Sequence, residues 1–417
     1  MNKINQALFE AEMGKFFRKD PAALETLETK LADLFRQYYY RLNVPEIQRR
    51  VRSLGELPCP PQPDSHYLIN FGIRGVMRYP LPTGETIFKI PVFSFPMNPW
   101  KDHWTATYLI VGDNGLTLVD TGTHLSEASM REGLEVVREI YGVPAKLEDI
   151  ETVIITHAHY DHFGGLTYLL PASGGKLLVH EWDAKTIANY PTEVEQGRKR
   201  IARFLKQAGM PEDESSQFMK MHGDPKRAFP GYPVTATFSD GDRVVNDFEV
   251  VHTPGHCPGL SCIRVADVML LGDQVLNDVS PHQFPKIYTE ASGLLNYLNS
   301  LVKISAHSEN IRLGLPSHYG DIHDIEARAM EIMSEHNQRV TDLMKDLVRP
   351  KSLYEITTDY YQYRRGRELT GYERLLALEE IGAHVEYMIE TLEIVRPING
   401  AALNGDSEEI VLYEKKT

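Results

Sequence analysis

Only three cysteines, Cys59, Cys257 and Cys262, occur in the 417-residue chain. They are too few and too irregularly spaced for a disulfide framework or a zinc ribbon, and such scarcity suits a reducing compartment. No segment approaches the roughly eighteen apolar residues of a membrane span. The opening stretch "MNKINQALFEAEMGKFFRKD" holds no apolar run of signal-peptide length, so a cytoplasmic location without membrane contact is expected. Positive charge is also scarce: 44 Lys and Arg stand against 58 Asp and Glu, a net charge of −14. A chain this acidic repels polyphosphate backbones at long range, which disfavours a general nucleic-acid binder. Internal repeats and low-complexity tracts are absent. What is present is an ordinary globular composition, 42% hydrophobic and 24% charged, on a chain long enough for a core domain with appendages.

Three textures follow one another. Residues 1–65 read as a helical extension and a Pro-rich linker. Asp20 and Pro21 start a helix whose Leu24, Leu27, Leu31, Leu34 and Tyr38 form one apolar stripe; the stripe packs on the main domain or forms a homodimer contact. Residues 66–325 alternate short apolar strands with helices. A helix capped by Ser126 and ended by Gly142 is expected after "GLTLVDTG", and a helical insertion, 184–228, interrupts the strands. From 326 to 417 the chain reads as three helices and a hairpin, a winged-helix-like order. Its long helix carries Glu373, Glu379, Glu380, Glu386 and Glu390 against Arg374. That balance is the reverse of a nucleic-acid recognition helix, and the tail is read as a cap packed on the core.

The densest chemistry lies in "THAHYDHFGG", where His157, His159, Asp161 and His162 fall within six consecutive positions after an apolar strand. In extended backbone, residues two apart project to one side, so His157 and His159 can reach one ion while Asp161 and His162 turn toward another. Imidazole and carboxylate donors together suit zinc, iron or manganese. One loop cannot close two coordination spheres. The missing donors are sought at other strand ends, where His256 in "HTPGH", Asp273 in "LLGDQ" and His318 in "LPSHYG" each follow an apolar run.

In that order, "LVDTG", "HAHYDH", "HTPGH", "LGDQ" and "LPSHYG" resemble the motifs of the metallo-β-lactamase-fold hydrolases, over roughly residues 66–325. The resemblance implies an α/β protein, an αββα sandwich with the metals at one sheet edge. It implies that His157, His159 and His256 bind one ion, that Asp161, His162 and His318 bind a second, and that Asp273 bridges them. Asp120 would support the site without ligating metal. The cofactors implied are two divalent ions, zinc foremost, with iron or manganese as alternatives. A hydroxide between them would attack a substrate carbonyl, with Asp161 orienting it. His252 is expected to play a supporting part, and Cys257 is read as packing. His282, Lys286 and Tyr319 are candidate substrate contacts, and His180 and Tyr160 could face the pocket. Ser317 and Tyr319 stand where relatives carry glycines.

The tail and "LGDQVLNDVSPHQF" resemble the glyoxalase-II-related branch with a C-terminal helical domain. The function implied is hydrolysis of a small-molecule carbonyl compound, an acyl thioester of glutathione or coenzyme A type, or a lactone. Two alternatives share the fold: a single-strand endoribonuclease, and a persulfide-dioxygenase-like oxidoreductase with one iron.

Overall fold

The computed structural model describes residues 76–98, 101–113, 115–223, 229–245, 247–289, 291–369, 372–398 and 409–416. The expected N-terminal helices, their dimer contact, the linker and Cys59 lie outside these residues.

Two mixed sheets face each other. The first has seven strands in sequential order: β1 (Met77–Pro80), β2 (Thr86–Asn98), β3 (Lys101–Gly112), β4 (Gly115–Val119), β5 (Ile150–Ile155), β6 (Lys176–His180) and β7 (Ala236–Phe238). Neighbours from β1 to β4 are antiparallel, and those from β4 to β7 are parallel. The second contains β8 (Arg243–Val244), β9 (Phe248–His252), β10 (Ser261–Val265), β11 (Val268–Gly272) and β12 (Leu313–Pro316), in the order β12-β11-β10-β9-β8. Only β11 and β12 pair in parallel there.

Period-two alternation divides each strand between two cores. Ile87, Ile154, Val250 and Leu270 point into the space between the sheets with Tyr108 and Leu315. Their neighbours Phe88, Val153 and Ile155 turn outward against Met130, Leu134 and Val137 of α1 (Glu127–Tyr141) and against Leu166 and Leu169. On the opposite outer face, Val251, Met269 and Leu271 meet Leu294, Tyr297 and Leu301. Because both faces are covered, β5, β11 and β12 read as near-continuous apolar runs. The result is the expected helix–sheet–sheet–helix layering.

Ser126 does not cap α1 through its side chain. Its hydroxyl instead donates to the Phe93 carbonyl at 2.6 Å and accepts from the Thr123 amide. Gly142 ends the helix in the left-handed region, as its sequence position predicts.

The inserted helices join the tail. Ile201, Phe204 and Leu205 of Tyr190–Gln207 share one core with Leu353, Ile356, Leu375, Leu378 and Ile381. The tail comprises the helices Ile325–Asp346, Leu353–Thr358 and Tyr372–Glu390 and a three-stranded antiparallel sheet. Ser352 caps the second of these helices in a reciprocal capping box with Glu355. In the sequence "TGYERLLALEE" offers Thr370 as the cap of the third helix, and that residue lies outside the described ones.

Candidate metal centre

Strand direction brings the candidate ligands to one edge. Asp120 follows β4 and His157 follows β5, and those two strands are parallel. His256, Asp273 and His318 follow β9, β11 and β12, which all run the same way. The two sheets are stitched at this edge by backbone bonds: Ala106 N–H donates to the Ser317 carbonyl at 2.7 Å, and Ser261 N–H to that of Thr156 at 3.0 Å. Two glycines allow the close fit. A Cβ on Gly165 would lie 2.2 Å from the Thr121 carbonyl oxygen. Gly255, at φ +138°, sits so tightly on Tyr297 that a Cβ would lie 2.4 Å from its backbone.

Seven donors converge in two sets. His157, His159, His256 and Asp273 form the first, and His162, Asp273 and His318 a second, with Asp161 and His318 also grouped beside His103. In the first set His159 Nδ1 lies 3.0 Å from both His157 Nε2 and His256 Nε2. Asp273 Oδ2 is 3.6 Å from His256 Nε2 and 3.5 Å from His162 Nε2, so this carboxylate stands between the sets. Asp161 Oδ2 is 3.4 Å from His318 Nε2 and 3.7 Å from His162 Nε2.

The partners of the other ring nitrogens fix which atoms face inward. His256 Nδ1–H donates to the His282 carbonyl at 2.7 Å, and His318 Nδ1–H to the Trp104 carbonyl at 2.8 Å. His162 Nδ1–H donates to Asp120 at 2.8 Å. Each of these imidazoles therefore aims its Nε2 into the cluster. His162 Nε2 and Asp273 Oδ1 are buried and make no hydrogen bond among the described residues. Converging lone pairs and orphaned buried donors are what cations would satisfy, so these residues fit a pair of divalent ions.

The local electrostatics divide the donors. Burial, then neighbouring imidazoles, holds His157 well below the usual histidine range; His159 and His256 are lowered chiefly by burial. Burial alone would raise Asp273, but His318 and His162 outweigh it and hold the carboxyl well down. Burial would likewise lower His162, yet Asp273, Asp161 and Asp120 hold it up to about 10. Burial would lower His318 too, yet Asp273 and Asp161 hold it well above the usual histidine range. A metal requires neutral imidazoles and ionised carboxylates, so binding would displace the protons of His162 and His318.

Asp120 is fully buried with φ +60°, a left-handed conformation that Asp tolerates. It accepts from the Thr156 amide and hydroxyl, His162 Nδ1 and Ser317 Oγ. The Ser317 contact gives that departure from glycine a purpose. Tyr319 adopts φ +65°, the conformation for which glycine would be the default, and its carbonyl accepts from Lys89 Nζ.

Other expected contacts fall elsewhere. His252 stacks on His180 at 3.9 Å and reaches the Pro258 carbonyl, bracing the loop that carries His256 rather than meeting the donors. His180 accepts from the Trp182 amide as a helix cap. Tyr160 lies in an aromatic group with Phe229 and His124. Lys286 turns its ammonium to Glu390 on the C-terminal helix. The His282 ring faces Glu379 and Glu380, so what this residue brings to the cluster is its carbonyl. Burial pushes the Cys257 thiol up, consistent with packing.

Two contributors carry no legible signal in the sequence. His103 starts β3, which runs antiparallel to β4 and so begins at the metal edge; its Nε2 lies 3.0 Å from Asp161 Oδ2. Asp183 accepts from the amides of Ala158 and Gly259 at 2.8 and 3.0 Å, tying the loop of His157 to the loop of His256.

The layering and the edge cluster together define the metallo-β-lactamase fold, and residues 105–304 match the family model of the metallo-beta-lactamase superfamily. The chain thus carries a domain of that superfamily. Among curated proteins it is similar to the probable metallo-hydrolase YqjP of Bacillus subtilis, 22% identical over 67% of this chain and 86% of that one. It is also similar to the lactamase-like protein aptB of Emericella nidulans, 25% identical over 63% of this chain and 66% of that one, just under two thirds of its length. Among solved structures, a metallo-beta-lactamase family protein from Thermus thermophilus superposes with a TM-score of 0.62. That alignment covers 79% of this chain and 98% of the other at 24% identity, a likeness of fold. No helix among the described residues is long and apolar enough to cross a membrane.

Proposed function

We propose that the protein is a binuclear metal-dependent hydrolase of a small carbonyl substrate, an acyl thioester of glutathione or coenzyme A type before a lactone. The observation that carries this reading is the pair of donor sets sharing Asp273, with His162 Nε2 and Asp273 Oδ1 otherwise orphaned. Two divalent ions held there, zinc foremost, would supply a Lewis acid and an acidified water. The chain supplies the rest. Asp161, held by His103 and His318, is placed to orient the attacking oxygen and take its proton. Phe284, whose ring centroid is 5.6 Å from that of His159, gives the centre an apolar wall. The similarity to the probable metallo-hydrolase YqjP of Bacillus subtilis supports the class. The tail, helices followed by a small antiparallel sheet, supports the glyoxalase-II-related branch with a winged-helix-like domain.

Metal analysis of the purified protein, then turnover of a thioester and lactone panel, tests the reading. Two zinc per chain and thioester cleavage reduced at least 100-fold in kcat by Asp161→Asn are expected. One iron per chain with oxygen uptake, or metal-dependent cleavage of single-stranded RNA in place of thioesters, would overturn it.

A further inference from the structure

The helix Tyr372–Glu390 carries five glutamates. Three of them are buried: Glu379, Glu380 and Glu386 are 2%, 6% and 5% exposed. They grip the segment that follows the bridging aspartate. Glu386 accepts from the Lys286 amide at 2.7 Å, Glu379 meets the Tyr288 hydroxyl and His282 Nε2, and Glu380 Oε2 accepts from the Gln283 amide at 2.7 Å.

That last bond belongs to the same peptide unit whose carbonyl, from His282, accepts His256 Nδ1–H at 2.7 Å. A carboxylate, one peptide group, and a histidine whose other nitrogen enters the ligand cluster therefore stand in series. A peptide whose N–H donates to a carboxylate has a more strongly accepting carbonyl, because hydrogen-bonded groups polarise one another. A stronger acceptor at Nδ1 fixes the tautomer and ring angle of His256 and makes Nε2 a better donor to metal.

We propose that Glu380 is a positioning residue for the metal centre, acting on His256 through the 282–283 peptide, so that the C-terminal helix is a working part of the site. The inference rests on the reading of His256 as a metal ligand. Glu380 is itself fixed: Arg339 Nη1 lies 2.6 Å from its Oε1, and Arg339 first, then nearby histidines, overcome burial to hold the carboxyl at about 2. The negative charge that polarises the peptide is thus present across the working pH range.

Two variants test this on the full chain. Glu380→Gln keeps the shape and an acceptor but removes the charge. The double variant Arg339→Met with Glu380→Met removes both charges, leaving no unpaired buried ion, and removes the acceptor as well. Zinc affinity is measured by competition with a chelating indicator, and the visible absorption of the cobalt-substituted protein reports ligand geometry. Circular dichroism confirms folding. The double variant is expected to bind zinc at least ten-fold more weakly with an altered cobalt spectrum, and Glu380→Gln several-fold more weakly. Glu386→Gln, at the far end of the same segment, replaces a carboxyl that burial keeps largely protonated at pH 7 and should leave both readings unchanged. Folded variants with parental zinc affinity and cobalt spectrum would overturn the proposal, and Glu380→Gln alone decides if the double variant does not fold. A parent protein that binds neither metal would instead refute the metal reading and the inference with it.

Discussion

Removing the Asp120 carboxylate should damage the protein before any substrate is added. Four donors end on it: the Thr156 amide at 2.8 Å, the Thr156 hydroxyl at 2.8 Å, His162 Nδ1 at 2.8 Å and Ser317 Oγ at 3.2 Å. Two of these are hydroxyls, which can rotate toward other acceptors. The other two are fixed N–H groups in a fully buried place, and no acceptor replaces the lost one. Each unsatisfied buried donor costs about 1–3 kcal/mol, so Asp120→Ala should destabilise the metal-free chain by about 3–5 kcal/mol. Asp120→Asn should fall between, at about 1–3 kcal/mol, because asparagine tolerates φ +60° and keeps one acceptor. Urea denaturation of metal-stripped parent and variants gives the numbers without stabilisation by bound ion. Zinc titration of the folded fraction should show the second ion weakened about 10–100-fold, since His162 loses the group that orients it. A loss below about 1 kcal/mol, with unchanged zinc affinity, would refute the assignment of Asp120 as the hub of this edge.

Asp183→Ala frees the amides of Ala158 and Gly259 and should cost about 2–4 kcal/mol. Weaker zinc binding should accompany it, because the two ligand loops lose their tie; equal affinity in parent and variant would limit Asp183 to the fold. Glu386 gives a pH test. Burial lifts its carboxyl from the ordinary 4.5 to about 8, so the folded state holds the proton more tightly than the unfolded one. The stability this provides is complete below about pH 4.5 and is lost as pH rises through about 8. Glu386→Gln removes that dependence and should be the more stable protein at pH 8.5 by at least about 1 kcal/mol. Parallel urea curves for parent and variant from pH 5.5 to 8.5 would contradict it.

Much of the fold was legible because its signals are local. The apolar runs of β5, β11 and β12 declare strands buried on both faces, and Gly142 and Ser352 mark helix boundaries within a few residues of sequence. Ser126 misled because a polar side chain beside a helix start has competing partners, here the Phe93 carbonyl on a neighbouring strand. The seven metal-donor candidates were legible for a related reason: His157, His159, Asp161 and His162 crowd one short stretch after β5, and His256, Asp273 and His318 are each a single donor after an apolar strand. His103 was hidden since it begins a strand rather than ending one, and only the antiparallel pairing of β3 with β4 brings it to the same edge.

The harder case is a role exercised through backbone. His282 and Lys286 were picked as substrate contacts from residue type, and both side chains turn toward the C-terminal helix. What reaches the ligand cluster is the His282 carbonyl, a group every residue possesses, so no substitution pattern at that position could announce it. The same holds for Asp183, which acts on two amides. The charge count of the last helix shows the converse. Its acidity was read only as the reverse of a recognition helix's balance, with the tail as a cap packed on the core, and that count does not say where each glutamate points. Glu379, Glu380 and Glu386 face inward, and their partners are amides, a tyrosine, a histidine and an arginine of this chain. A buried carboxylate is costly unless its oxygens are satisfied. Glu379 and Glu380 have partners on both oxygens, while Glu386 accepts the Lys286 amide and is kept protonated by burial, so the helix marks a surface shaped for one particular segment. That segment holds His256. The tail and the metal centre are therefore coupled by construction, and a truncation before Tyr372 should lose metal affinity even where the sandwich survives.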